Sequence, residues 1–244
     1  MTKEIFLSVI IPCYNEEKRI VSTVLATDGW LSQQKFSYEI LVVNDGSKDK
    51  TASVVRKLME NTPKLQLIDN FENRGKGAVV KQGMLLAKGN YRLFMDADNS
   101  TTIDHFEKMM PLIAEGYEVI IGSRDNKDAS GARQAVKQPF YRRLIGNFGN
   151  LFIQIMAVPG IWDTQCGFKC FSRKAALDIF SRCQISGWAF DVEVLFLARK
   201  LGYKIGIIPV YWRNDPRSHV NWRAYFSVLK DVIKIRLNSK RYFS

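Results

Sequence analysis

Residues 7–46 read LSVIIPCYNEEKRIVSTVLATDGWLSQQKFSYEILVVNDG. Two short apolar runs, Leu7–Ile11 and Ile40–Val43, flank a stretch at Lys18–Ser32 with a helical pattern. An apolar run of that length, bounded by polar residues, reads as a strand buried on both faces. Strand, helix and strand in that order make a βαβ unit, which implies a parallel sheet covered by helices.

The pattern continues outward. Apolar runs at Leu65–Ile68, Tyr91–Met95 and Val119–Ile121 alternate with helical stretches at Lys50–Asn61, Ala78–Ala87 and Ile103–Ala114. Asp49 and Thr51 suit a helix start. The expected fold class is α/β, with a Rossmann-like, mostly parallel central sheet and helices on both faces. Past Arg124 the order loosens. Residues 125–139 are polar without a period and read as a mobile loop. Phe140–Met156 reads as a helix closed by Pro159-Gly160, Phe168–Phe171 as a strand and Lys174–Phe180 as a helix. Val192–Leu201 reads as a helix ended by Gly202, and Ile205–Val210 as a strand. At the C-terminus Trp222, Tyr225, Phe226, Leu229, Val232, Ile233 and Leu237 share helical spacing, opposite Arg223, Lys230, Lys234 and Arg241. Such a basic amphipathic helix either packs on the sheet with a solvated polar face or lies at an anionic membrane surface.

The chain has 244 residues, 46% hydrophobic and 25% charged, with a net charge of +12. That balance excludes a disordered chain, a collagen-like fibre and a coiled coil. The charge is uneven. Residues 1–123 hold 15 basic and 16 acidic side chains, net −1. Residues 124–174 hold 9 and 3, and residues 211–244 hold 8 and 2, so each block is net +6. Each block is either a solvated basic surface or faces an anionic partner. Nucleic acid is disfavoured as that partner: no recognised binding module is present. The four cysteines form no CxxC pair and read as free thiols. The two histidines, His105 and His219, lie too far apart for a zinc site of ordinary spacing. The N-terminal apolar run reads as a strand and not a signal peptide, and no run reaches the ~18 apolar residues of a membrane span. The expected location is cytoplasmic.

Ligands of open α/β sheets bind beyond the carboxyl ends of the strands. The segments after the first, second, fourth and fifth strands are Pro12-Cys13-Tyr14-Asn15-Glu16, Asn44-Asp45-Gly46-Ser47-Lys48-Asp49, Asp96-Ala97-Asp98 and Gly122-Ser123-Arg124. Asp96 and Asp98 read two ways: as carboxylates that reach one Mg²⁺ or Mn²⁺, or as capping residues of a turn. Asp45 has the same turn alternative, and Glu16 that of a helix start. Arg74-Gly75-Lys76-Gly77 opens the third helix, where backbone N–H groups and the helix terminus favour an anion. It matches neither a dinucleotide fingerprint nor a P-loop.

Taken as a set, these segments resemble the family 2 glycosyltransferases with the A-type nucleotide-sugar fold. The resemblance runs from Val9 to about Val210 and includes PCYNE, VVNDGSKDKT, NRGKG, DAD and GSR in family order. Residues 163–169, DTQCGFK, look like a segment of dolichyl-phosphate β-glucosyltransferases, and dolichyl-phosphate mannosyltransferases have a similar one. The resemblance implies a metal-dependent, inverting transfer of a hexose from a nucleotide sugar, UDP-glucose favoured over GDP-mannose, to a polyprenyl phosphate. It implies a catalytic domain over 1–210, with a nucleotide-sugar half at 1–123 and an acceptor half at 124–210, followed by the basic segment 211–244. Pro12, Tyr14, Glu16 and Asp45 would cradle the base and ribose, with Lys76 near the nucleotide. Asp96 and Asp98 would hold Mg²⁺ or Mn²⁺ on the diphosphate, Asp98 nearest the chemistry. Arg124, Arg142, Arg143, Gln165, Lys169 and His219 would face the acceptor phosphate. Two positions depart from the family: Ser100 stands where mannosyltransferases often place a metal-binding Gln, and Ser218-His219 replaces a Ser-Lys.

A phosphate acceptor needs no general base, because its second pKa is about 6. It needs cations to hold it, and Arg matches phosphate oxygens bidentately. A hydroxyl acceptor would need a base, and Asp191 is the candidate for a soluble transferase of that kind. Asp191 could equally bind sugar hydroxyls or cap the helix that follows. Trp188 reads as a sugar-stacking or a core aromatic. The partners expected are the donor, the lipid phosphate and a membrane surface under the C-terminal helix. The expectation is of a peripheral enzyme on the cytoplasmic face, alone, as a homo-oligomer or with a membrane-anchored partner.

Overall fold

The computed structural model describes residues 4–134, 149–213 and 222–243. A seven-stranded sheet runs in the order β3-β2-β1-β4-β7-β5-β8. Its strands are β1 Leu7–Cys13, β2 Tyr38–Asp45, β3 Leu65–Asn70, β4 Tyr91–Met95, β5 Val119–Ser123, β7 Phe168–Ser172 and β8 Ile205–Pro209. All neighbours are parallel except around β7, which is antiparallel to both β4 and β5. The helices are α1 Ile20–Leu31, α2 Thr51–Met59, α3 Lys76–Leu86 and α4 Met110–Ala114, the last preceded by a 3₁₀ helix at Ile103–Met109. They continue with α5 over residues 149–156, α6 Arg173–Phe180, α7 Phe190–Lys200 and α8 Trp222–Leu237.

Alternation along the strands builds two cores. Val9, Ile11, Ile40, Val42, Leu93 and Met95 point to the layer with Ile20 and Val24 of α1, Val55 of α2 and Phe106. Ile10, Leu41, Val43 and Phe94 point to the other layer, with α3, α6, α7 and α8. A sheet sealed on both faces explains why every residue of β1 and β2 is buried.

Three expectations need correction. Of the loop expected over 125–139, residues 125–134 are tied to the fold, and residues 135–139 lie outside the described residues. Arg133–Gln134 forms β6, paired in parallel with β9 at Tyr211–Trp212. Asp128 also ties this stretch to the site: its carboxylate accepts Ser123 Oγ–H at 2.7 Å, Trp162 N–H at 2.7 Å and Asp163 N–H at 2.8 Å. Asp191 does not cap α7, because Ala189 occupies that position and Asp191 lies inside the first turn. The third concerns α8, whose core-facing stripe is Val228, Val232 and Ile235, whereas Ile233 and Leu237 are exposed. The core stripe is thus rotated from the expected one, and Val232 belongs to both. The side chains of Trp222, Tyr225 and Phe226 lie outside the described residues, as does the expected helix before residue 149.

Candidate active site

The strand order reverses beside β1: β2 and β3 lie on one side and β4 on the other. In open α/β sheets this reversal opens a crevice at the carboxyl ends of the two strands. Tyr14 and Asn15 leave β1 there, and Asp96-Ala97-Asp98 leaves β4. Asn15 and Asn99 both have φ of 56° and are the only described non-glycine residues with positive φ. Two strained turns thus face one crevice, and such strain concentrates at functional sites.

The loops after β1 and β2 are knitted together. Lys48 N–H donates to Asn15 Oδ1 at 2.9 Å, Ser47 Oγ accepts Asn15 N–H at 2.9 Å, and Thr51 Oγ1 accepts Glu16 N–H at 2.8 Å. Tyr14 is 40% exposed over this platform, and Pro12 is buried within β1. Asp45 is buried, and its two oxygens accept the backbone N–H groups of Arg74 at 2.7 Å and Gly75 at 2.9 Å. Its first task is therefore to hold the loop that opens α3.

That loop carries Lys76, whose ammonium meets Asp96 Oδ1 at 2.6 Å and lies 5.3 Å from the ring of half-exposed Trp188. Burial alone would lower the Lys76 pKa, but Asp96, Asp191 and Asp98 outweigh it and hold the ammonium above its ordinary value. The Asp98 carboxyl is pushed up by burial and then by Asp96, against the backbone N–H of Ser100, which donates to Oδ1 at 2.9 Å. Glu16 is pushed up by burial despite its ion pair with Arg19, and Asp98 and Asp96 add to the rise.

Carboxylates crowded together are relieved by a cation. Two of the three buried side-chain atoms without a partner among the described residues, Asn99 Oδ1 and Ser100 Oγ, sit directly after Asp98. The donors present fit a hard cation held by one or two carboxylates. Among the described residues no group of three or more His, Cys, Asp or Glu could hold a metal by itself. A cation here would complete its shell with phosphate oxygens and water.

The antiparallel sense of β7 brings residues 163–169 to this edge. Gly167 O accepts Asp96 N–H at 3.2 Å. A Cβ at Gly167 would overlap the Asp96 carboxylate, so only glycine lets the acid lie flat against the strand. Thr23 Oγ1 on α1 fixes the other side of the triplet by donating to Ala97 O at 2.6 Å.

The second half of the site differs most from the sequence expectation. Arg124 is committed to buried Asp163: Nε to Oδ2 is 2.7 Å, Nη2 to Oδ1 is 2.8 Å, and the Arg124 N–H donates at 2.8 Å. Burial would raise the Asp163 pKa, but Arg124 outweighs it and holds the carboxyl below its ordinary value. Lys169 has no exposed surface, and its ammonium is spent on Asp191 and on Cys166 O at 2.7 Å. An acceptor phosphate would have to compete with both partners for this ammonium. Asp191 is 2% exposed and ion-paired to Lys169. Its carboxyl is raised by burial against the pull of Lys169 and Lys76. A buried, ion-paired carboxylate is poorly placed to act as general base for a diffusing acceptor. Gln165 is exposed beside Asp163. Arg142, Arg143 and His219 lie outside the described residues.

Some residues at this edge went unnoticed in the sequence. Asp128 shapes the loop at Trp162–Asp163, and nothing distinguishes it from its polar neighbours there. His105 Nε2 accepts Tyr211 N–H at 3.0 Å while Nδ1 faces Thr102 O at 3.1 Å, so the ring is neutral with its hydrogen on Nδ1. Burial lowers its pKa. With Arg213 N–H donating to Ser100 O at 2.9 Å, this ring seats β9 against the Asp96–Asp98 turn.

Comparisons with known proteins bear on the family and the fold. The sequence profile of Glycosyl transferase family 2 matches residues 8–180. A dolichyl-phosphate beta-glucosyltransferase of Dictyostelium discoideum is 37% identical over 244 residues, covering 95% of this chain and 74% of its own length. The one from Saccharomyces cerevisiae is 34% identical over 253 residues, covering 96% of this chain and 75% of its own. Among solved structures, glucosyl-3-phosphoglycerate synthase of Mycobacterium tuberculosis, in complex with Mn²⁺, UDP and phosphoglyceric acid, superposes with a TM-score of 0.68 at 16% identity. That match covers 96% of this chain and 78% of the other, and it shows a shared fold.

Proposed function

This chain belongs to glycosyl transferase family 2, and from that premise we propose that it transfers glucose from UDP-glucose to a polyprenyl phosphate with the help of a divalent cation. The observation that carries this reading is the 37% identity, over 95% of the chain, to a dolichyl-phosphate beta-glucosyltransferase.

In this reading residues 1–123 form the donor half. Tyr14 and the platform from Pro12 to Glu16, with Asp45, receive the nucleotide. Asp96 and Asp98 would hold Mg²⁺ or Mn²⁺, which supplies positive charge to the leaving diphosphate. Lys76 places a second positive charge beside Asp96. Trp188, 46% exposed next to Lys76, offers a face for the sugar. The acceptor half begins at Arg124. Its acceptor arrives as a phosphate, largely dianionic at neutral pH, so no side chain has to remove a proton. The engagement of Asp191 with Lys169 supports this over a hydroxyl acceptor. Arg124, braced by Asp163 through Nε and Nη2, would offer the rest of its guanidinium N–H groups to the phosphate, and Gln165 a neutral contact. Arg142, Arg143 and His219 complete the set by their place in the sequence.

The acceptor's tail requires a membrane. Among the described residues no helix is long and apolar enough to cross one. The exposed Ile233 and Leu237 of α8 lie among exposed Lys230, Lys234 and Arg236. That mixture suits a helix resting at an anionic surface, here assigned to the cytoplasmic face.

The test is direct. The protein is incubated with radiolabelled UDP-glucose, Mg²⁺ or Mn²⁺ and a short polyprenyl phosphate, and the mixture is extracted into organic solvent. Label in the organic phase, lost with EDTA, is the expected result. Label from GDP-mannose instead would overturn the donor assignment, and no label from any nucleotide sugar would overturn the reading.

A further inference from the structure

Glu193 is a fully buried carboxylate in the first turn of α7, with no part in the chemistry above. Its surroundings are unusual for a core position. It accepts the backbone N–H of Gln184 at 2.8 Å, the backbone N–H of Ile185 at 3.0 Å and the hydroxyl of Tyr242 at 2.7 Å. Burying a carboxylate is costly unless hydrogen bonds compensate. Here three donors do so, two from a loop and one from the C-terminal segment.

The loop so held touches the donor site. Ser186 O accepts Gly77 N–H at 2.8 Å. A Cβ on Gly75 would strike Ser186 O, and a Cβ on Gly77 would strike Ile185 O, so the loop lies directly on the start of α3. Between those glycines stands Lys76, paired with Asp96 at 2.6 Å. Lys81 Nζ, one turn further along α3, donates to Cys183 O at 2.7 Å. Trp188 follows the same loop and faces Lys76. An unbroken series of contacts therefore runs from Tyr242 through Glu193 and residues 184–188 to Lys76 and Asp96.

We propose that Glu193 is a positioning residue for the donor site and that Tyr242 makes the C-terminal segment part of that scaffold. Glu193 sets the peptide planes at residues 184–185. The first of those planes carries the Cys183 carbonyl that receives Lys81 of α3, and the chain that leaves the second lays the carbonyls of Ile185 and Ser186 on the start of α3, which presents Lys76 to Asp96. Tyr242 fixes the carboxylate from behind, with its ring 6.3 Å from that of Phe196. The segment after α8 thus belongs functionally to the nucleotide-sugar half, although it is the farthest from it in sequence.

The inference rests on the donor-site reading, so the first measurement is UDP binding to the wild-type protein with Mn²⁺ by calorimetry. If the wild type binds no UDP, the donor-site reading fails and this inference falls with it. If it binds, Tyr242→Phe is expected to weaken UDP binding and raise the donor KM by about three- to tenfold, the worth of one buried hydrogen bond. The kcat at saturating donor stays within about twofold, because no reacting group is touched. Glu193→Gln puts an N–H₂ where acceptors are required and is expected to act more strongly in the same direction. Val55→Ala, in the opposite core, serves as a control that lowers melting without moving the donor KM. If both Tyr242→Phe and Glu193→Gln lower melting like the control but leave UDP affinity and donor KM unchanged, the carboxylate is only structural and the inference is overturned. A change with Glu193→Gln alone overturns the role given to Tyr242. Should Glu193→Gln fail to fold, Tyr242→Phe decides the outcome.

Discussion

Asp191→Asn separates a structural ion pair from a catalytic base. It removes the negative partner of Lys169, an ammonium with no exposed surface. Breaking a buried pair from one side costs about 3–5 kcal/mol, because the surviving charge stays desolvated. Two features remain to soften the loss: Cys166 O at 2.7 Å and the face of Phe94 at 5.3 Å. The expected loss is then near the lower end, about 3 kcal/mol. For a chain of this size that lowers the melting temperature by about 6–12 °C. The assay is thermal and urea unfolding of the single variant beside the double variant Lys169→Met, Asp191→Leu. Removing both charges should recover most of the loss, since an apolar pair of similar volume is often no worse than a buried ion pair. A general base would behave differently. Its Asn variant would melt normally and lose turnover by about 100- to 10,000-fold. A single variant that melts within about 2 °C of wild type while losing turnover on that scale would refute the structural reading.

Three further outcomes follow from the site. Gly167→Ala should push the Asp96 carboxylate off β7; we expect a raised metal requirement in titrations of activity against Mn²⁺, at an overpacking cost of about 1–3 kcal/mol seen in urea melts. Asp98→Asn should cut transfer to the polyprenyl phosphate by at least about 100-fold in the extraction assay with melting preserved or improved, since a crowded charge is removed. His105 is held neutral by burial, so its folded pKa lies below its unfolded value. Stability from this group is complete above the unfolded value of about 6.5 and declines as pH falls from there toward the folded pKa. The melting temperature should therefore drop between pH 7.5 and 5.5, and His105→Gln should flatten that drop.

The front half was legible because its signals are local. A buried parallel strand is a short apolar run, a crossover helix follows it, and the residue after the run lies at the ligand edge wherever the sheet places it. Asp96, Asp98 and Glu16 could therefore be put on one edge from spacing alone. What spacing does not give is the partner of each charge. Asp45, Arg124, Lys169 and Asp191 have side chains of the right type for ligand contacts, yet each is engaged by the protein: by Arg74 and Gly75 N–H, by Asp163, and by each other. The cause for Lys169 is register. It pairs with Phe94 across the antiparallel ladder and so sits in the middle of the sheet, where only a buried counter-charge can receive it. Strand order, which no local pattern encodes, decided that.

The same limit explains α8. Its sequence carries more apolar residues than one buried stripe can use, so periodicity could not say which of them face inward. Packing on α7 selects Val228, Val232 and Ile235, and Ile233 and Leu237 remain outside. An exposed Leu alone needs no explanation. Two apolar side chains four residues apart, alternating with Lys230, Lys234 and Arg236, form the outward face of a helix whose inward face is already satisfied. That leftover face can be weighed separately. Ile233→Ser with Leu237→Ser leaves the buried stripe intact, so melting should hold within about 2 °C, the shift expected of surface changes. Flotation with vesicles containing anionic lipid should fall if the face rests on a membrane, and UDP binding should not change, because Tyr242 and Glu193 are untouched. Unchanged flotation would leave α8 a packing helix and move the membrane contact to another surface.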